Sequence, residues 1–294
     1  MADKQITPFQ LTDQFTMDNF NQRINETNIA LQSKPNPNLL DNWYLPNLVN
    51  QRGITSWTSD YGPDRWTAYT AINAEISSAG LTLHMTGDMT GVIAQILEEF
   101  LFNELVGKVC TFSVLFADGT MRSGSAQVSP SETTLFISDY PAFGQVYLQK
   151  SRALQIYFTQ ERTIKAVKLE LGNQQTLAHQ DADGNWVLNE IPDYGEQLAR
   201  CQRYRVEYGR YAQWGVVDIQ PDYIDFSIYL PVTMRAFPSI EGASNLSVNG
   251  YSGFAFQVAA FNGNNLRIRA TKSNHGFTRA YLEASNKFAF VAEL

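Results

Sequence analysis

Residues 164–208 read IKAVKLELGNQQTLAHQDADGNWVLNEIPDYGEQLARCQRYRVEY. The segment starts as a strand: Val167, Leu169 and Leu171 point one way while Ala166, Lys168 and Glu170 point the other, the period-2 pattern of a half-buried strand. Gly172 ends it. Asp193 stands three residues before Glu196 with Pro192 just outside, which is a capping box and predicts a helix start. From there Tyr194, Leu198, Cys201 and Tyr208 fall on one helical face, and Glu196, Arg200, Arg203 and Glu207 on the opposite one. The segment therefore reads as a joint between one β unit before it and another after it.

Working outward, residues 36–172 predict an antiparallel β-sandwich. Its strands are expected at 64–73, 80–86, 109–117, 133–138, 145–149, 153–160 and 164–171, separated by Gly, Pro, Asn, Asp and Ser clusters. Within it GVIAQILEEFLFNELVGK, 91–108, carries Val92, Ile93, Ile96, Leu97 and Phe100 close to helical spacing and predicts a helix over one end of the sandwich. Residues 173–212 form a tether and the capped helix. In the tether Asp181-Ala182-Asp183-Gly184-Asn185 begins like a calcium loop but has Pro192 where the closing glutamate belongs. Asp183-Gly184 also signals a hairpin with Trp186-Val187-Leu188 returning, and the turn is preferred over calcium. Residues 213–294 form a smaller β-sandwich, with Ile224, Phe226, Ile228, Leu230 and Val232 alternating against Tyr223, Asp225, Ser227 and Tyr229. Before all of this, 1–35 is an arm. Thr16 caps a helix over 16–32 whose Met17, Phe20, Ile24, Thr27 and Leu31 follow 3-4 spacing, and such a short polar helix needs a partner. That partner is either its own domain or two further copies in a parallel coil. Residues 34–38, KPNPN, read as a stiff linker.

The 294 residues carry 22 Lys+Arg and 29 Asp+Glu, a net charge of −7, and this acidic, sparsely charged surface argues against nucleic-acid binding. No apolar run approaches the length of a membrane span, and the polar start MADKQITPFQ lacks a basic signal-peptide region, so a chain made in the cytoplasm is expected. Cys110 and Cys201 lie on apolar phases and read as small core residues rather than as a disulfide or nucleophile.

KLELG at 168–172, TLA at 176–178, PDYGEQLARCQRY at 192–204 and YLPVTMRAFPSI at 229–240 resemble the tail proteins of bacteriophages and prophages of Gram-positive gut bacteria. The likeness extends to ITPFQLTDQFTMDNFNQRIN and NLLDNWYLPNLVNQRG near the start; it departs at Arg205, where the family doubles an aromatic after Tyr204. NLLDNWYLPNLVNQRG, GPDRWTAY and GKVCTFSVLFADG resemble carbohydrate-binding-module-like jelly rolls of such proteins. The resemblance implies a homotrimer with the helix Met17–Leu31 joining the chains, contacts to other tail or baseplate proteins, and a place at the tip of a virion or tail-like particle acting outside the cell. It implies adhesion to host cell-surface glycans, with a structural adaptor as the alternative and a polysaccharide depolymerase as a further one.

No catalytic residues, cofactor or metal site are predicted: His84, His179 and His275 lack metal-ligand spacing, and no phosphate loop or serine elbow is present. The carboxylate pairs Glu98/Glu99 and Asp60/Asp64 sit on a helix with diverging directions or in a turn-rich loop. Binding has more residues behind it. Trp43, Tyr44, Trp57, Tyr61, Trp66 and Tyr69 crowd one stretch among amides and charges, and sugars with apolar faces and hydroxyl rims call for such a mixture. Trp43 and Trp66 are expected in the core. Trp57 and Tyr61 with Asp60, Asp64 and Arg65 form the candidate glycan site, and Tyr251, Phe261, Asn262, Asn264 and His275 at a C-terminal tip form a second. Arg200, Arg203 and Arg210 read as a solvated or intersubunit face.

Overall fold

The computed structural model describes residues 36–58, 60–69, 72–85, 91–137 and 145–293. The expected helix over 16–32, with Met17, Phe20, Ile24, Thr27 and Leu31, lies outside the described residues. The described chain is mainly β, with several antiparallel sheets built around two hydrophobic cores.

In chain order the first region contains β1 (Ser56–Trp57), β2 (Asp60–Tyr61), β3 (Thr67–Ala68), β4 (Ile72–Ser77), β5 (Gly80–Met85), β6 (Gly91–Ile96), α1 (Glu99–Leu105), β7 (Val109–Phe116), β8 (Met121–Gln127), β9 (Glu132–Ile137), β10 (Gln145–Gln149), β11 (Ala153–Phe158) and β12 (Arg162–Leu171). They form two six-stranded sheets, ordered β1-β4-β5-β12-β7-β8 and β2-β3-β6-β11-β10-β9. Leu81, Phe112, Val114 and Val167 of one sheet share a core with Ile93, Val146, Ile156 and Phe158 of the other. Trp43 and Trp66 lie in this core, as expected, and Trp66 donates its indole N–H to the Asn42 carbonyl at 2.9 Å.

The structure corrects the expected helix over 91–108. Residues 91–96 are strand β6, paired with β11 and buried over five successive positions, and only Glu99–Leu105 is helical. A short apolar run buried on both faces carries no periodicity of its own, and its near-helical spacing was coincidence. The polar β8, MRSGSAQ, was also missed; it is a sheet edge of which only Met121 is buried.

Strand β12 is buried on both faces rather than one. Lys168 and Glu170 are 0% exposed while Leu171 is exposed. The supposed tether supplies their roof: β13 (Ala178–Gln180) and β14 (Trp186–Leu188) form a hairpin. Lys168 Nζ lies 3.7 Å from Glu170, 3.9 Å from Glu190 and 2.9 Å from Thr176 Oγ1, and Thr176 donates its hydroxyl to Glu170. A buried cation thus meets two carboxylates and a hydroxyl, the condition under which a charge tolerates burial. At the hairpin turn the Asp181 carboxylate accepts the backbone N–H groups of Asp183 and Asn185, and Gly184 takes a positive φ of 83°.

Helix α2 (Tyr194–Gln202) begins where the capping box placed it, with Asp193 accepting the Glu196 N–H at 2.9 Å. It ends before Tyr208, however. Its buried residues are Gln197 and Cys201, Tyr194 is exposed, and Glu207 and Tyr208 belong to the next strand. Cys110 and Cys201 are buried free thiols, and burial pushes Cys110 up to about 11.

The second region comprises β15 (Arg205–Tyr208), β16 (Gln213–Gln220), β17 (Tyr223–Tyr229), β18 (Ser239–Glu241), β19 (Leu246–Val248), β20 (Ala255–Asn262), β21 (Asn265–Thr271), β22 (Tyr281–Ala284) and β23 (Phe288–Val291). A three-stranded sheet, β15-β23-β18, and a six-stranded one, β19-β22-β16-β17-β21-β20, enclose Ile224, Phe226, Ile228, Leu266, Ile268 and Phe290. The second core thus begins at Val206, inside the stretch expected to be helical.

Candidate functional site

The turn GPDRW, 62–66, places Asp64 and Arg65 inward. Arg65 takes a φ of 71°, and the Asp64 N–H is held by the Val49 carbonyl at 3.2 Å. Asp64, 1% exposed, accepts hydrogen bonds from the backbone and side chain of Gln51 at 2.6 and 3.0 Å. Burial raises its carboxyl above the ordinary value, against the opposing pull of Gln51 and Arg52. Arg65, 2% exposed, bonds Asp41 at 3.2 Å and lies 3.6 Å above the Tyr204 ring. Glu293 stands 3.0 Å from Arg52 and 3.7 Å from Arg65, so a carboxylate from the second region closes the cluster.

The same cluster absorbs the helix arginines. Arg200 bonds Asp41 at 2.8 Å and Arg203 pairs with Glu98 at 3.0 Å, while the Tyr204 hydroxyl donates to Glu98 at 2.6 Å. Arg205 grips Glu241 with two bonds of 2.8 and 2.9 Å, and the Gln51 amide donates to the Arg205 carbonyl at 2.7 Å. Arg200 and Arg203, expected on a solvated or intersubunit face, tie α2 to the first region through Asp41 and Glu98, and Arg203 is still exposed, as is Arg210 beside Tyr211.

These contacts correct the first candidate glycan site. Trp57 is 6% exposed and seated against Gly62, where an added Cβ would lie 2.2 Å from the indole ring. Tyr61 is half-buried beneath the Arg52 guanidinium at 5.0 Å, and burial and Glu293 push its phenol up to about 12. Asp60 pairs with Ala68 in the short β2–β3 ladder. Trp57, Asp64 and Arg65 are structural, and with them the first site loses its open face.

The second candidate site separates into two. Tyr251 and His275 lie at one end of the β20–β21 pair and Asn262 and Asn264 at its hairpin turn, a strand length of about 24 Å apart. At the first end Tyr251 is 61% exposed and leans on Phe277 at 5.7 Å, which in turn stacks on His275 at 5.6 Å and Phe254 at 6.1 Å. Lys272 Nζ is 5.1 Å from the Phe254 centroid. His275 is a brace. Its Nε2 donates to the Gln220 carbonyl at 2.6 Å and its Nδ1 accepts the Phe277 N–H at 3.0 Å, which fixes the neutral tautomer. Asn249 holds the same loop by accepting the Tyr281 N–H at 2.9 Å and donating to the Arg279 carbonyl at 3.0 Å. At the hairpin end Phe261 meets the exposed Phe237 edge-on at 6.3 Å, beside exposed Asn262 and Asn264.

Phe277 and Lys272 are not marked by any alternation in the sequence, and Phe254 reads there only as the apolar phase of a strand. A signal was available: Gly253-Phe254 and Gly276-Phe277 repeat one dipeptide, each glycine at positive φ (85° and 71°) turning the following ring onto the same stack.

A further concavity, about 150 Å³, opens between α1 and α2 and is lined by Asp41, Glu98, Phe100, Arg200, Arg203 and Tyr204 among others. Among the described residues no group of three His, Cys, Asp or Glu is placed to hold a metal ion, and no helix is long and apolar enough to cross a membrane. His84 lies between Glu161 and Glu75 at 2.9 and 3.3 Å, and His179 bonds Asn189 at 2.6 Å. Comparison of the chain with protein families, curated proteins and solved structures finds no match.

Proposed function

We propose that this chain is a tail or baseplate component of a bacteriophage or tail-like particle, with a jelly-roll first domain, that adheres to host cell-surface glycans through its second region. The observation that carries the adhesion reading is the Tyr251 ring: exposed, yet backed by Phe277, which is itself stacked on His275 and Phe254. A sugar's C–H face gains most from a ring that is already ordered, because little side-chain entropy is lost on binding. The neighbouring Lys272 and Asn249 loop add polar groups at its rim. Each such site is shallow, and a homotrimer on a particle multiplies it by effective concentration.

Residues 36–294 fused to a label should bind host cell-wall polysaccharide, and Tyr251→Ala should weaken that binding by about tenfold, as for one lost aromatic anchor. Undiminished binding by a folded Tyr251→Ala protein overturns this site. A second reading, a structural adaptor without glycan affinity, draws on the first region, whose Arg52, Asp64 and Arg65 meet Glu293 in an internal joint. No wall binding by the wild-type chain, together with co-sedimentation with tail proteins, would favour it.

A further inference from the structure

We propose that the cleft between α1 and α2 binds a carboxylate carried on a six-membered ring. The cleft measures about 150 Å³, the size of a cavity that holds a benzene ring and well below the pockets that take larger ligands. One wall is apolar: Leu39, Leu97 and Leu101 line it, and Phe100 stands at it 63% exposed. The opposite wall carries Arg200 and Arg203.

Hydrogen-bond accounting on that wall leaves a surplus of donors. Each guanidinium has five N–H groups. Arg200 commits Nε to Asp41 at 2.8 Å and reaches the Asn38 carbonyl only at 3.4 Å, while Arg203 commits Nη2 to Glu98 at 3.0 Å. Asp41 already serves Arg65 as well, Glu98 already takes the Tyr204 hydroxyl, and the Gln95 amide is spent at both ends on the Asp41 backbone. Arg65, the third guanidinium of the lining, is shared between Asp41 and Glu293 at 3.2 and 3.7 Å, so the charges nearly balance and the spare N–H groups of Arg200 and Arg203 are what a carboxylate would meet. A planar fork with spare donors matches a carboxylate in two-bond geometry, and the exposed Phe100 face takes the ring beside it. The cleft lies in a different region from Tyr251, so this proposal stands or falls apart from the adhesion reading.

The test is amide NMR of the full chain at low salt with sodium glucuronate, sodium benzoate and glucose as separate titrants, each to the order of 10 mM. At least one acid should shift resonances of 98–105 and 194–204 saturably, with glucose leaving them unmoved. Arg203→Gln should weaken that binding about tenfold, as should Phe100→Ser, and 0.5 M salt should weaken it further. Arg203 is partly exposed, and Glu98 keeps Tyr204, so the variant should fold; Phe100→Ser checks the site from its other wall. A response to glucuronate alone identifies a sugar acid, and to benzoate alone an aromatic acid; both support the site. Silence toward both acids, equal shifts with glucose, or binding unaltered in both folded variants overturns it.

Discussion

The two regions of this molecule put similar residues to opposite uses. The first turns Trp57, Asp64 and Arg65 inward, where they meet Gly62, Gln51 and Tyr204, and its charges end in a joint closed by Glu293. The second leaves Tyr251 in the open with a stack of rings behind it. In sequence both present aromatics among amides and charges. The difference lies in the turn. In GPDRW the left-handed Arg65 sends two charged side chains toward the core, whereas in SGF and HGF the left-handed residue is a glycine and the next ring supports a neighbour. An aromatic with polar neighbours thus stays open only where the rest of the chain leaves the ring itself uncovered.

The comparison can be broken first at Arg65. Arg65→Ala removes a buried guanidinium from Asp41 and Glu293, which keep Arg200 and Arg52, and urea unfolding should show a loss of about 1.5–3 kcal/mol; a loss below about 1 kcal/mol would mean the joint is solvated. Next comes Gly62→Ala. Its Cβ would collide with Trp57, and the forced shift should cost about 1–3 kcal/mol in thermal or urea unfolding. Tyr251→Ala should then change stability by no more than about 0.5 kcal/mol while reducing wall binding, which separates an open ring from a structural one. The smallest effect concerns His84. Its hydrogen bonds to Glu161 and Glu75 raise its pKa above the ordinary 6.5, so the protonated ring favours the folded state. That contribution is fully present below 6.5 and fades as pH rises through the folded value. Histidine NMR should show a midpoint above 6.5, and Glu161→Gln should bring it down.

Much of the β architecture was legible. The strand at 223–229, the hairpin at Asp183-Gly184 and the cap at Asp193 are local signals, and each formed where it stood, although Asp225, expected opposite the apolar face, is buried against Arg269. What escaped depended on distant partners. Lys168 and Glu170 looked solvent-facing because their roof, Thr176 and Glu190, arrives from a later hairpin. Arg200 looked free because Asp41 lies 159 residues away in sequence. Strand β6 looked helical because burial on both faces erases alternation. Of the candidate aromatics, Tyr251 is exposed and Trp57 is buried, because exposure is decided by what the rest of the chain brings.

The Glu293 contact has a consequence for the order of assembly. Arg52 receives this partner from 241 positions downstream. During synthesis the two guanidiniums of the first region therefore lack one of their counter-charges until the chain through Glu293 has emerged. A ribosome-bound or proteolytic fragment ending between the two regions should be looser at its Arg52–Arg65 side than elsewhere, and supplying the trailing piece separately should tighten it.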